Sequence, residues 1–185
     1  MNDAACQPEN IQLKWLEPEH IAQVSTFLQQ LPLEVKARFA PHAFDEATLQ
    51  KLFCENAGEC MALLAFAADE TLIAYHLIRK GFLLNEAPRL ASYGLLLNAA
   101  TDYTYAPVQA PHFQGAGLGS RMWRTIANRL QQLGVRRVFL WGGVQLTNIP
   151  AIKFYQKNGF LELGRFHWEG ENADMQYRFQ ESVSG

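Results

Sequence analysis

The sequence predicts a mixed α/β domain, in which helices cover both faces of a β-sheet of about six to seven strands. Three observations support this fold class. Apolar residues recur at helical spacing in the first third of the chain, two apolar runs then form a predicted hairpin, and two strand–helix units precede a second hairpin. Because the chain has 185 residues and no repeat or linker, we expect residues 11–185 to form a single domain after a polar, flexible tail over residues 1–10.

Apolar spacing and chain-breaking residues define the elements before residue 80. Ile21, Val24 and Leu28 lie on one face of a helix that Pro32 ends, and Asp45 is the predicted N-cap of a later helix. In chain order, the predicted elements are a strand over 11–15, helices over 17–31 and 33–39, a helix from 45, and a hairpin of 61–67 with 72–79.

The same criteria define the second half of the chain. Leu118, Met122 and Ile126 form a helical stripe, and Gly134 is a C-terminal cap. The predicted elements are a loop over 81–89, strands over 90–97, 101–110 and 138–141, helices over 117–133 and 149–158, and a hairpin of 160–168 with 174–179.

Charge and composition narrow the class of protein. Sixteen basic and 18 acidic residues give a net charge of −2, which gives no support for a nucleic-acid or anionic-membrane partner. No secretory signal is visible, and no stretch approaches the roughly 20 apolar residues of a membrane span, so we expect a cytoplasmic protein. Three cysteines without a CxxC pair and five scattered histidines predict reduced thiols and no metal site.

A glycine-rich turn carries the strongest functional signal. Residues 114–120 read QGAGLGS and lie directly before a predicted helix. Glycine permits positive φ and lets a phosphate approach the backbone N–H groups of a helix N-terminus; a merely tight strand–helix turn is the alternative. A dinucleotide GxGxxG would need glycine at Ser120, and a Walker loop would need Gly-Lys-Ser or Gly-Lys-Thr, so neither motif is present.

With a second motif about one strand–helix unit later, this turn resembles the GNAT superfamily of acetyl-CoA-dependent N-acetyltransferases. The family signature Gln/Arg-x-x-Gly-x-Gly/Ala is matched by Gln114, Gly117 and Gly119, and the family's proline at the end of the preceding strand by Pro111. The second motif comprises Asn148, Ala151, Phe154, Tyr155, Gly159 and Phe160. The resemblance covers residues 101–168 closely and implies a GNAT-like, splayed sheet.

The resemblance also implies acetyl-CoA as the cosubstrate and transfer of its acetyl group to a primary amine, for which a small molecule is the favoured acceptor. Three other functions stay open at this point: transfer to a hydroxyl, transfer of a longer acyl chain, and a CoA-binding sensor without activity. A homodimer is also compatible with the resemblance, since many such domains pair through a sheet or helix edge.

The family pattern assigns most cofactor contacts to the strand before the turn and to the turn itself. The implied cofactor-binding residues are Val108, Gln109, Ala110, Gln114, Gly115, Ala116, Gly117, Leu118, Gly119, Ser120, Asn148 and Tyr155. Tyr155 would also donate a proton to the leaving thiolate, because a phenol of pKa about 10 is protonated at neutral pH and the thiol has a pKa near 8.5. The alternatives are an N-cap role for Asn148 and a core position for Tyr155.

An acceptor amine with a pKa of about 10.4 is charged at pH 7 and must lose a proton before it attacks. In the family the base is often a carboxylate on or near the strand before the turn. Asp102 is therefore the predicted base, with Tyr103, Tyr105 and His112 as rivals and a solvated strand-entry residue as the alternative reading.

Acceptor contacts implied by the fold are aromatic, although aromatic side chains at such places often belong to the core. They are Phe39, His42, Tyr75, Tyr93 and Trp141. The paired glycines Gly142 and Gly143 follow the last of these and could leave room for the acetyl group or the acceptor, or only mark a tight turn.

Overall fold

The computed structural model describes residues 10–180. Its eight strands lie in the order β1-β2-β3-β4-β5-β8-β6, with β7 on β8. The strands are β1 Gln12–Trp15, β2 Cys60–Phe66, β3 Leu72–Lys80, β4 Asp102–Gln109, β5 Arg137–Leu140, β6 Val144–Gln145, β7 Leu161–His167 and β8 Glu171–Arg178. The predicted tail over residues 1–10 lies almost wholly outside the described residues.

Six α-helices connect and flank the strands. They are α1 Ile21–Gln30, α2 Leu33–Lys36, α3 Glu46–Gln50, α4 Ala87–Ser92, α5 Leu118–Gln132 and α6 Ile149–Lys157. A π-helical turn at Lys51–Glu55 continues α3. The predicted mixed α/β fold is confirmed, because β4 and β5 are parallel whereas β1–β2 and β5–β8 are antiparallel.

The chain divides into two compact units. One unit contains the chain up to Ile78 together with Ala106–Arg124, and the other contains Arg79–Tyr105 together with the chain from Thr125 onward. Strand β4 passes from the second unit to the first between Tyr105 and Ala106.

The first unit shows why its predicted elements form. The apolar stripe of α1 is buried, as its spacing requires, with Val24 and Leu28 fully covered. Asp45 is the N-cap of α3, since its Oδ1 accepts a hydrogen bond of 2.8 Å from the Thr48 N–H. Strands β2 and β3 contain continuous runs of buried residues, the pattern that predicted this hairpin.

In the second unit, β4 and β5 are paired from Asp102–Arg137 to Tyr105–Leu140. The Trp141 N–H then donates to the Tyr105 carbonyl at 3.0 Å. Strand β4 continues to Gln109, so its last residues extend past the register with β5.

One sequence-based prediction of an element was wrong. Residues 90–97 do not form a strand: α4 covers Ala87–Ser92, with Pro88 in its first turn, and Gly94 adopts a φ of +77° just after it. Leu90 alone faces the core, whereas Leu96 is 91% exposed, so the apolar run does not mark a buried strand. Within residues 10–180 the sheet has eight strands, beside the predicted number of about six to seven, and the two residues of β6 are too few to show a period in the sequence.

Candidate active site

The glycine turn of the first unit has the geometry of an anion site. Gly115 and Gly117 have φ values of +86° and +83°, which side-chain-bearing residues rarely adopt. Residues 114–117 are exposed, and a Cβ added at either glycine would meet no atom within 4 Å. Helix α5 begins at Leu118, so the backbone amides at its N-terminus are next to open space at the positive end of the helix dipole. The turn therefore has the features of a binding site for an anionic group such as a phosphate.

Just before the turn, the end of β4 is held in place by two contacts. The Ala110 N–H donates to the Ile73 carbonyl at 2.8 Å. Gln109 Nε2 lies 3.4 Å from His76 Nε2, and because the amide nitrogen can only donate, the imidazole nitrogen is the acceptor. Burial lowers the pKa of His76 to about 3, so this imidazole stays neutral. Val108 is buried.

The second motif lies in the second unit, on α6. Asn148 is the N-cap of this helix, with its Oδ1 accepting from the Ala151 N–H at 3.4 Å. Tyr155 is 8% exposed and packs edge-on against Phe154 and Phe160. Burial raises the pKa of its phenol above the usual value, so the hydroxyl is protonated throughout the neutral range. Tyr155 therefore has a proton to donate at the pH of the reaction.

The surroundings of Asp102, the predicted catalytic base, favour a structural role instead. Asp102 is fully buried, and its carboxylate accepts from Arg137 at 2.9 Å (Nε to Oδ1) and 2.8 Å (Nη2 to Oδ2). The Asn98 N–H also donates to Oδ2 at 2.7 Å. A carboxylate that is enclosed and engaged in this way cannot reach an acceptor amine. Asp102 is a structural residue at the beginning of β4.

Three predicted acceptor-side residues form one aromatic cluster in the first unit. The Tyr75 hydroxyl lies 3.0 Å from His42 Nε2, and the Phe39 ring meets the Tyr75 ring edge-on at 6.1 Å. His42 Nδ1 lies 2.7 Å from the Ala43 carbonyl, which can only accept, so Nδ1 carries the proton and Nε2 accepts from Tyr75. Burial lowers the pKa of His42 and favours its neutral form. Sequence reasoning missed Phe53, whose ring packs edge-on against Tyr75 at 6.5 Å.

The two remaining predicted acceptor residues, Tyr93 and Trp141, lie in the second unit. The Tyr93 hydroxyl donates to Asp174 Oδ2 at 2.9 Å. The Trp141 ring lies 5.7 Å from the Arg79 guanidinium carbon, within cation–π range.

Sequence reasoning also missed a buried cluster of charges in the second unit. Arg89 donates to both oxygens of Asp174, from Nε at 2.7 Å and from Nη2 at 3.2 Å, and its guanidinium carbon lies 3.7 Å from the centre of the Phe166 ring. Glu86 Oε1 lies 3.2 Å from Arg89 Nη2. Because Arg89 and Asp174 are 85 positions apart, no local spacing could have brought them together in a sequence-based argument.

Two kinds of feature are absent from the residues that the structure describes. Within residues 10–180, no helix has the length and hydropathy needed to cross a membrane. Over the same stretch, no three His, Cys, Asp or Glu side chains are grouped in a way that could hold a metal ion.

Comparison with known proteins identifies the family. A sequence model described as the acetyltransferase (GNAT) family matches residues 26–160. The [ribosomal protein bS18]-alanine N-acetyltransferase of Salmonella typhimurium is 31% identical over 132 residues, which are 71% of this chain and 75% of that protein.

Two solved structures share the fold at low sequence identity. A GCN5-related N-acetyltransferase from Kribbella flavida has a TM-score of 0.68 and 18% identity, with 94% of this chain and 100% of that chain covered. A spermidine N-acetyltransferase from Vibrio cholerae, in complex with CoA and spermine, has a TM-score of 0.66 and 16% identity, with 92% and 96% covered. The family match over most of the chain, together with the Salmonella relative, shows that the chain belongs to the acetyltransferase (GNAT) family and is an N-acetyltransferase whose cosubstrate is acetyl-CoA.

Proposed function

We propose that this protein transfers the acetyl group of acetyl-CoA directly to a primary amine of a small molecule, within a ternary complex. The observation that carries the proposal is the exposed turn at Gly115 and Gly117, which leads into the N-terminus of α5. A built anion site at this point in the chain is what a CoA diphosphate needs.

The cofactor would be held mainly by backbone groups. Amides of residues 114–120 would bind the diphosphate. The chain at Val108, Gln109 and Ala110 would pair with the pantetheine arm like an added strand, since β4 extends past its register with β5. A backbone N–H near Val108 or Gln109 would polarise the thioester carbonyl.

Tyr155 would protonate the leaving group. The amine nitrogen forms a bond to the thioester carbon, the carbon–sulfur bond breaks, and the thiolate takes a proton from the Tyr155 hydroxyl. Support comes from its place in the second family motif and from its hydroxyl, which carries a proton throughout the neutral range. Asn148 supports the site indirectly, by capping the helix that carries Tyr155.

The aromatic cluster of Phe39, His42 and Tyr75 would contact the acceptor. Aromatic faces attract cations, and the neutral His42 adds no repulsive charge. These properties suit a small amine that is cationic in solution. Among similar proteins, the Vibrio cholerae enzyme was solved with spermine, whereas the Salmonella relative is named for an alanine of a ribosomal protein. Both acceptor types therefore belong in the test.

Isothermal titration with acetyl-CoA, with desulfo-CoA and ATP as comparison ligands, tests the cofactor site. We expect saturable binding of acetyl-CoA and none of ATP. Thiol release is then measured with spermine and with a short peptide that begins with alanine. Faster release with spermine supports a small-molecule acceptor. Faster release with the peptide supports a protein amine as the acceptor instead. A folded protein that binds no acetyl-CoA at millimolar concentration would contradict the assignment of the turn.

A further inference from the structure

The buried cluster in the second unit has more negative than positive charge. Asp174 receives both guanidinium contacts of Arg89 and the Tyr93 hydroxyl. Glu86 receives from Arg89 only the 3.2 Å contact of Nη2, the nitrogen that also bonds Asp174. The positive charge is thus directed at Asp174. Glu86 is the carboxylate in excess, although its residue is only 5% exposed.

The surroundings of Glu86 favour proton uptake. Burial raises the pKa of Glu86, and the charge of Asp174 acts in the same direction. Arg89 and a hydrogen bond from the Gly142 N–H act in the opposite direction, without cancelling the effect of burial. The charged groups that face Glu86 are thus Arg89 on its own helix and Asp174 on β8.

The Glu86 carboxylate borders an open space beside Gly142. Gly142 is exposed, and a Cβ added there would meet only Glu86 Oε1, at 4.0 Å. The neighbouring Gly143 is closed, because a Cβ there would lie 2.7 Å from the Ala173 carbonyl and 2.8 Å from the Phe166 ring. Gly142, rather than Gly143, is therefore the side from which an acceptor would approach Glu86.

The same end of β5 is also connected, through Tyr105, to Tyr155, the proposed proton donor. Gly142 comes two residues after Leu140, the register partner of Tyr105. Tyr105 and Tyr155 are close enough that the charge of Tyr155 contributes to raising the pKa of Tyr105. The carboxylate is therefore associated with the residues just after the carboxyl end of β5, and the phenol with Tyr105, the partner in β4 of the last residue of β5.

We infer that Glu86 is the general base that deprotonates the acceptor amine, a role that rests on the proposed acetyl transfer. The acceptor ammonium gives one proton to the Glu86 carboxylate and thence to water, and the neutral amine attacks the thioester carbon. A second proton leaves the nitrogen as the amide forms, which balances the proton that the thiolate receives. Gly142 provides the approach, and Arg89, which is itself bonded to Asp174, holds Glu86 in position.

The test compares Glu86→Gln with the parent protein, using whichever of spermine and the alanine peptide the parent acetylates faster. Glutamine keeps the size of the side chain and an oxygen for the Gly142 N–H, but it cannot take up a proton. We expect kcat at neutral pH to fall by about 100-fold or more. The rise of rate with pH should move toward the pKa of the free amine, about 10 for a primary alkylamine such as those of spermine and about 8 for the α-amino group of the peptide. The Kd of acetyl-CoA should not change.

Thermal stability separates a base from a structural residue. A base in an unfavourable environment predicts that Glu86→Gln has the melting temperature of the parent or a higher one at pH 7.5. Glu162→Gln is the matched control: it also removes a carboxylate paired with an arginine three residues later, but one whose side chain is 38% exposed. Its rate should be that of the parent.

The remaining outcomes of the experiment overturn either the Glu86 inference alone or the proposed function together with it. Full retention of kcat and of its pH profile in Glu86→Gln overturns the inference, and so does a lower kcat with an unchanged pH profile and a lower melting temperature. If the glutamine variant does not fold, Glu86→Asp, which keeps a carboxylate, must retain the parent's pH profile, and loss of that profile overturns the inference. A parent protein that acetylates neither amine contradicts the proposed function and the Glu86 assignment with it, whereas an active parent with an equally active variant contradicts Glu86 alone.

Discussion

Asp102 and Arg137 form the first pair of the parallel β4–β5 register, and their side chains are joined by two hydrogen bonds of 2.9 and 2.8 Å. Backbone pairing and side-chain charge thus bring the same two residues together. Because Asp102 is fully buried, the ion pair is shielded from water and held at a defined place in the sheet. This contact defines the beginning of the strand whose other end leads to the glycine turn.

Asp102→Asn should therefore destabilise the protein while leaving the chemistry of the folded fraction intact. Loss of one partner leaves the Arg137 guanidinium poorly compensated, at a cost of about 3 to 5 kcal/mol in the free energy of unfolding. Urea denaturation measures that loss, and kcat per folded molecule should be close to that of the parent. The exposed pair of Glu162 and Arg165 provides the comparison, since Glu162→Gln should leave the free energy of unfolding nearly unchanged. A stable Asp102→Asn with a large loss of kcat would restore Asp102 as the base.

Gly117→Ala should weaken acetyl-CoA binding by about tenfold or more, because a Cβ would occupy the space next to the amides and the positive φ would be strained. Titration calorimetry measures the change in Kd. Gly58→Ala is a matched control, with a φ of +94° and no atom within 4 Å of an added Cβ, but outside the turn. Equal Kd values of acetyl-CoA for both variants would show that the turn contributes to the fold but not to cofactor binding.

Tyr155→Phe should lower kcat by about 100-fold while acetyl-CoA still binds, because only the proton donor is lost. The phenyl ring keeps the packing against Phe154 and Phe160. Melting temperature should therefore change little. Steady-state kinetics with thiol detection gives the answer, and an unchanged kcat would remove the role proposed for the hydroxyl.

The neutral, buried His76 should make the protein less stable in acid. Its pKa falls from 6.5 to about 3 on folding, so the unfolded chain binds the extra proton first. The stability that neutral His76 provides to the folded protein is present in full above pH 6.5. It is lost as pH falls toward about 3. At pH 4.5 the loss should be about 2 to 3 kcal/mol.

His76→Gln tests that expectation, because a glutamine oxygen can accept from Gln109 but does not titrate in this range. The free energy of unfolding is measured by urea denaturation at pH 7.0 and pH 4.5 for both proteins. We expect a smaller difference between the two pH values in the variant. The same difference in both proteins would mean that His76 does not determine the acid sensitivity.

Local signals explain why much of the fold was predictable. The turn at Gly115 and Gly117, the helix that follows it and the cap at Asp45 depend on residues within a few positions of each other. The hairpins follow from apolar runs with polar connections, and both are present. In these segments, backbone conformation and solvent exposure are largely determined by neighbouring side chains.

Residues 90–97 show the limit of such reasoning. An apolar run of this length fits a strand or a helix equally well, and its conformation depends on what the rest of the chain offers. Here Arg89 on α4 forms hydrogen bonds with Asp174 on β8. Among residues 90–97, only Leu90 has a side chain that is fully buried in the core. No sequence pattern near position 90 predicts the contact with Asp174.

The sequence by itself determined the family, the mixed sheet, the glycine turn and the helix that carries Tyr155, because each is encoded in short, contiguous patterns. Only the tertiary structure decided which carboxylate is engaged and which one is left in excess. Asp102 and Glu86 are both acidic residues near element ends, and they differ in that Asp102 has its own guanidinium, whereas Glu86 shares one with Asp174. The ability of a carboxylate to take up a proton depends on burial and on charges that folding brings from distant parts of the chain.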